Sequence, residues 1–94
     1  MIIIAGSLYL DAAARDRYLA ATFDVARQAR LAPGCFDFVQ SADPIDPERI
    51  NIYERWESDE DLHRFRAGPG DELDLPDLRS ADVHKYRISA VELP

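Results

Sequence analysis

The chain has 94 residues, of which 47% are hydrophobic and 31% charged, and it carries a net charge of −7. That length fits one domain, 1–94, able to bury about 65% of its unfolded surface and too short for two independent cores. The acidic balance argues against a nucleic-acid partner, because phosphate-backbone binding draws on Lys and Arg clusters that displace counterions.

The opening MIIIAGSLYL is short and rich in β-branched residues, so 2–10 reads as a first strand. It lacks a basic n-region and falls far short of the ~20 residues of a membrane span, so neither a secretory leader nor a membrane partner is expected. Asp11 is placed to cap the helix that follows over 12–31. There Tyr18, Leu19, Thr22, Phe23, Ala26 and Ala29 recur at spacings of three and four along one face. Pro33 and Gly34 end it. A second strand follows over 35–41, with Phe36, Phe38 and Gln40 on one side and Cys35, Asp37, Val39 and Ser41 on the other.

The stretch ADPIDPER holds two prolines among its acids, so it reads as a connection that pairs 35–41 antiparallel with a third strand over 49–57. Ser58 offers an N-cap, and Asp59, Glu60 and Asp61 suit the positive end of a second, short helix with Leu62 and Phe65 on one face and Arg66 at its margin. The segment 68–78 is long for a connection and reads as a lid or a flap. The last strand is expected over 83–91. The remaining acid-rich stretches are read as solvated loops.

The order is therefore β-α-β-β-α-β, the split βαβ arrangement of ferredoxin-like α+β folds, with both helices on one sheet face. Apolar groups on both faces of the second strand leave the other face in need of a cover. A second copy of the sheet is the simplest one, giving a homodimer that closes an α+β barrel. Cys35 stands alone, which excludes an intrachain disulfide and fits a reducing, cytoplasmic location. Two histidines without paired spacing, and no Gly-rich phosphate loop or dinucleotide fingerprint, indicate neither a bound metal nor a nucleotide cofactor.

The third strand carries the chemistry. Ile50, Ile52, Glu54 and Trp56 share one face, so a carboxylate interrupts an apolar row. Desolvation raises the pKa of such an acid and suits it to accept a proton near neutral pH, while an adjacent indole can stack on an aromatic ring. A plainer reading stands beside it: Glu54 pairs with an arginine, such as Arg55 or Arg87 of a neighbouring chain, or accepts backbone hydrogen bonds, and Trp56 fills core. His63 is placed at a pocket edge or in solvent. Tyr18, Phe23, Phe36, Phe38 and Tyr86 serve as core or as an aromatic cavity, and nothing in the sequence puts a base beside Cys35.

The span from Ala32 to Phe65, with Pro33-Gly34-Cys35, the aspartate-proline turn and Tyr53-Glu54-Arg55-Trp56 before a capped acidic helix, resembles the antibiotic-biosynthesis monooxygenase family of dimeric α+β barrels. The resemblance implies a substrate cavity between the sheet and its helices, with Trp56 pointing into it. Many members of that family have a histidine nine residues beyond the tryptophan; Phe65 stands there in this chain, and His63 is turned about 200° around the helix from it. Haem-degrading members add an asparagine on the first strand, which this chain lacks, so haem degradation is disfavoured. What the resemblance implies is a small cofactor-independent monooxygenase acting with O2 on an aromatic hydroxyl, quinol or polyketide-like compound. Glu54, Trp56 and His63 are its catalytic candidates, and Asn51, Tyr53, Phe65, Tyr86 and Phe23 its substrate-binding candidates. A non-catalytic module that binds a small aromatic ligand, and an isomerase or cyclase, are the alternatives.

Overall fold

The computed structural model describes residues 1–68 and 73–94. Six elements follow one another: β1 Ile2–Tyr9, α1 Ala12–Leu31, β2 Cys35–Ala42, β3 Arg49–Trp56, α2 Asp59–Ala67 and β4 Ser80–Arg87. The strands form one antiparallel sheet in the order β2-β3-β1-β4. Each helix thus carries the chain across an intervening strand, which is the ferredoxin-like α+β topology.

Strand alternation fixes the core. Ile2 faces Trp56, Ile4 faces Glu54 and Leu8 faces Ile50 across the β1–β3 ladder, all on the helix side. Two clusters result. One joins Ile2, Ile4, Phe38 and Trp56 to Ala29 of α1 and Leu62 of α2; the other joins Leu8, Leu10, Ile50 and Ile52 to Tyr18. Trp56, Ile2, Leu10, Ile50 and Leu62 are completely enclosed, and each such side chain contributes about 1.5–3 kcal/mol of transfer free energy.

The local signals act where their chemistry requires. Ser58 caps α2 by accepting from the Asp61 amide at 3.2 Å, and its hydroxyl donates to Asp61 Oδ2 at 2.9 Å. Gly34 turns the chain out of α1 at φ 81°, and a Cβ there would collide with the Asp61 side chain. Asp43 organises the β2–β3 turn by accepting from the amides of Asp46 and Ile45 and from the Asn51 side chain. These hydrogen bonds, the Asp46 amide foremost, hold its carboxyl down to about 2.

Four expectations are corrected. Asp11 occupies the N-cap position without a side-chain cap; its carbonyl takes the Ala14 amide at 2.9 Å. Phe36 does not share a face with Phe38, because the ladder slips between Cys35 and Asp37. This bulge moves Cys35 to the helix side and leaves Phe36 under the Arg55 guanidinium, 5.3 Å from its ring centre. β4 begins three residues earlier than 83 and ends at Arg87, because its partner among the described strands is β1: the Ile88 amide already reaches Met1. Phe23, on the flank of α1 rather than its inner face, is 70% exposed.

Of the segment 68–78, residues 69–72 lie outside the described residues, and Leu75 packs on the chain's own second cluster. No described helix is long and apolar enough to cross a membrane.

Candidate functional site

The structure brings three of the expected site residues together. Glu54 and Trp56, two apart on β3, point to the helix side and are 7% and 0% exposed. The indole Nε1–H donates to Glu54 Oε1 at 3.1 Å, and among the described residues this is the only hydrogen bond to the carboxyl group. Phe65 comes down from α2 onto the indole, with ring centres 5.5 Å apart, and meets Phe38 edge-on at 6.2 Å.

This environment decides the protonation of the acid. Burial pushes the Glu54 carboxyl above its ordinary range, while the indole N–H and the positive charge of Arg66 pull it back without cancelling the rise. The nearby Cys35 thiol is pushed up by its own burial and then by the charges of Glu54 and Asp37, so it is held as a thiol rather than as a nucleophilic thiolate. The arginines considered as partners for Glu54 are engaged elsewhere within the chain. Arg55 lies on the far side of the sheet over Phe36, and Arg87 donates to Asp59 at 2.7 Å.

Five other expected residues stand apart from this group. Asn51 and Tyr53 alternate with Glu54 and so face away from the helices. Asn51 is fully engaged in the turn, donating to Asp43 at 2.8 Å and accepting from Arg49 at 2.7 Å. Tyr86 pairs with Ile3 on that same open face, 54% exposed and beside His84. Phe23 borders a separate groove of about 490 Å³ between α1 and β2, with Ala26, Arg30, Val39 and Gln40. His63 is exposed on α2 and borders a hollow of about 240 Å³ between α2 and β4, with Ile4, Arg66 and Val83. A second hollow of about 270 Å³, between α1 and α2, is bordered by Ala32, Phe65 and Gly68. The linings of these two hollows, one on each side of α2, contain neither Glu54 nor Trp56.

Arg66, exposed on α2, is the cation whose charge reaches Glu54, and it is absent from the site residues that the sequence suggested. Its place four residues beyond the buried Leu62 aims it along the inner side of α2, which is the signal that locates it.

A ferredoxin-like domain with an acid and an indole enclosed between sheet and helices is the class that this geometry defines. The antibiotic biosynthesis monooxygenase family model matches residues 1–70, and the chain belongs to that family. Solved structures agree in fold. A candidate antibiotic biosynthesis monooxygenase from Deinococcus radiodurans superposes with a TM-score of 0.80 at 21% identity, covering 100% of this chain and 99% of that one. Another from Nitrosomonas europaea gives 0.76 at 16% identity, over 96% and 100%. The haem degrader MhuD of Mycobacterium tuberculosis, solved with two haems in its active site, gives 0.71 at 18% identity, over 98% and 99%. No curated protein matches the chain.

Proposed function

We propose that this chain is a small cofactor-independent monooxygenase that oxidises an aromatic hydroxyl, quinol or polyketide-like compound with O2. The observation that carries the reading is the Glu54–Trp56 pair: an enclosed carboxyl with raised proton affinity, one oxygen held by the indole and the other without a hydrogen bond among the described residues. Such a group is a competent base for an acidic C–H or O–H in a water-poor site.

For an activated methylene the steps balance as follows. Glu54 takes a proton, the substrate anion transfers one electron to O2, and the resulting radical and superoxide combine into a carbon-bound peroxide. Glu54 returns its proton to that peroxide anion, and loss of water leaves a ketone, with one oxygen atom in the product and one in water. Trp56 and Phe65 supply the aromatic wall that orients the ring, and movement of Phe65 opens it. His63, at the edge of the α2–β4 hollow, lies beside the approach.

The active form is a homodimer in which the open sheet faces meet. Phe36 and Tyr86 are 48% and 54% exposed on that side, and the enclosed Arg55 Nε has no acceptor among the described residues, one that a covering copy would supply.

Oxygen consumption is the direct test, with hydroquinones and anthrones as substrates and anaerobic controls. Uptake above the uncatalysed rate, lost in Glu54→Gln, is the expected result; uptake at the uncatalysed rate throughout the panel removes the oxygenase reading. The way Phe65 covers the indole favours a second reading, a binding module for a small aromatic ligand. Its signature is a ligand-induced rise in melting temperature without oxygen uptake.

A further inference from the structure

The hollow between α2 and β4 differs in charge from the molecule as a whole. The chain's net charge is −7, yet this hollow has an apolar base of Ile4, Leu62 and Val83 and a rim that includes His63, Arg66 and Lys85, with no acid among the described residues of its lining. The cations differ in availability. Lys85 Nζ is bound to Asp59 at 2.6 Å, and His84, which borders the hollow, carries its ring on the open face of the sheet with Nδ1 3.3 Å from Asp82. On the same two elements Arg64 pairs with Asp61 and Arg87 with Asp59. Arg66 makes no ion pair among the described residues. The acid that feels its charge is Glu54, whose strand partner Ile4 forms part of the base of the hollow.

We infer that this hollow receives an anionic group of the ligand, gripped by Arg66 while an aromatic body lies against Ile4, Leu62 and Val83. The ligand class is therefore an aromatic that carries a carboxylate or an ionised phenol. A guanidinium suits a carboxylate because its planar fork presents paired donors to two oxygens, and two of its N–H groups can converge on the single oxygen of a phenolate. The inference deepens the proposed function and rests on it only for the oxygen chemistry.

A coupling follows. Arg66 holds down the proton affinity of Glu54, so an anion that neutralises Arg66 releases that restraint and makes Glu54 the stronger base while the ligand is bound. Binding is then accompanied by proton uptake. Among the described residues, the titratable and charged groups around Arg66 are Glu54 from β3, His63 from α2 and Lys85 from β4, with Asp59 and Arg87 behind Lys85; the His84 ring lies on the open face of the sheet beside Tyr86. Glu54→Gln is the variant that isolates the share of the carboxyl group.

The test is calorimetric titration of the full chain with 1-naphthoate and with its neutral counterpart 1-naphthamide, at low and high salt. Expected are binding of the acid at least tenfold tighter than the amide, a preference that shrinks with salt, and proton uptake that is reduced in Glu54→Gln. Arg66→Gln removes the preference, whereas Arg64→Gln on the same helix retains it. Equal affinity for acid and amide, an unchanged preference in Arg66→Gln, or binding of neither compound overturns the inference. The two readings fail separately. Acid preference without oxygen uptake on any aromatic removes the oxygenase alone, and oxygen uptake with no acid preference removes the anion site alone.

Discussion

The two faces of the sheet are built from the same four strands and have opposite fates. On the helix side Ile2, Ile4, Ile50, Ile52 and Trp56 are at most 7% exposed; on the other, Phe36 and Tyr86 remain about half exposed, interleaved with Arg55, Asn51 and His84. The difference arises from where the helices cross, since both lie over one side and no described element covers the other. Position on the strand therefore sets chemistry. Glu54 and Arg55 are neighbours in sequence, yet one is an enclosed acid with raised proton affinity and the other a guanidinium over an aromatic ring.

The largest break in this contrast comes from removing the central member of the covered face. Trp56→Ala should cost about 3–5 kcal/mol, as for other fully buried aromatic side chains, read from the shift of the urea midpoint at constant m-value. A loss under about 1 kcal/mol would mean that the space over the indole already behaves as a void. Next is Gly34→Ala. It forces an L-residue to φ 81° and pushes a methyl group into Asp61, so about 1–3 kcal/mol should be lost, with α2 loosening before the sheet in hydrogen exchange.

Most of the fold was legible because its signals are local. Pro33-Gly34 and Ser58 with its three following acids mark helix ends through backbone requirements that no tertiary contact needs to supply. The period-two apolar row of β3 located the buried acid for the same reason. What escaped were features set by a partner strand. The bulge that moves Phe36 across the sheet depends on register against β3, and the end of β4 depends on where β1 begins. Site residues divided along that line: Glu54, Trp56 and Phe65 converge because alternation and helix pitch place them. Asn51, Tyr53 and Tyr86 were grouped with them by chemical type, and the pleat sends them to the other face.

A smaller effect tests the enclosed acid itself. The folded pKa of Glu54 lies above its ordinary value of 4.5, so the folded protein holds that proton more tightly than the unfolded chain. Its contribution is fully present below the ordinary value and is lost as pH rises through the folded one. Glu54→Gln removes that loss. The variant should gain stability over wild type as pH rises above 4.5 and keep that gain once the folded carboxyl has ionised, by about 1.4 kcal/mol for each tenfold by which folding tightens the proton on Glu54. Asp43 acts in the opposite direction: with its pKa lowered to about 2, its contribution is present above 3.8 and disappears as pH falls through 2. Paired urea titrations that begin near pH 2 and run upward past 4.5 separate the two carboxyls, and parallel stability curves for wild type and Glu54→Gln would show that the acid is not desolvated.

The smallest expected effect on folding falls on the open face and says most about it. Tyr86 is 54% exposed, so Tyr86→Ala in an uncovered sheet should change stability by within about 0.5 kcal/mol. If a second copy covers that face, the same substitution removes an aromatic ring from a buried interface. The cost then appears as a concentration-dependent melting temperature and a shift toward monomer in sedimentation, while the dilute monomer melts as before. Arg55→Met sharpens the result. It deletes the Nε that has no partner among the described residues and keeps an apolar stem against Phe36, so it should leave the monomer nearly unchanged and weaken association only where a facing copy supplies the missing acceptor. Equal sedimentation of wild type and both variants as monomers would leave the two faces as different in the assembled protein as they are in the single chain.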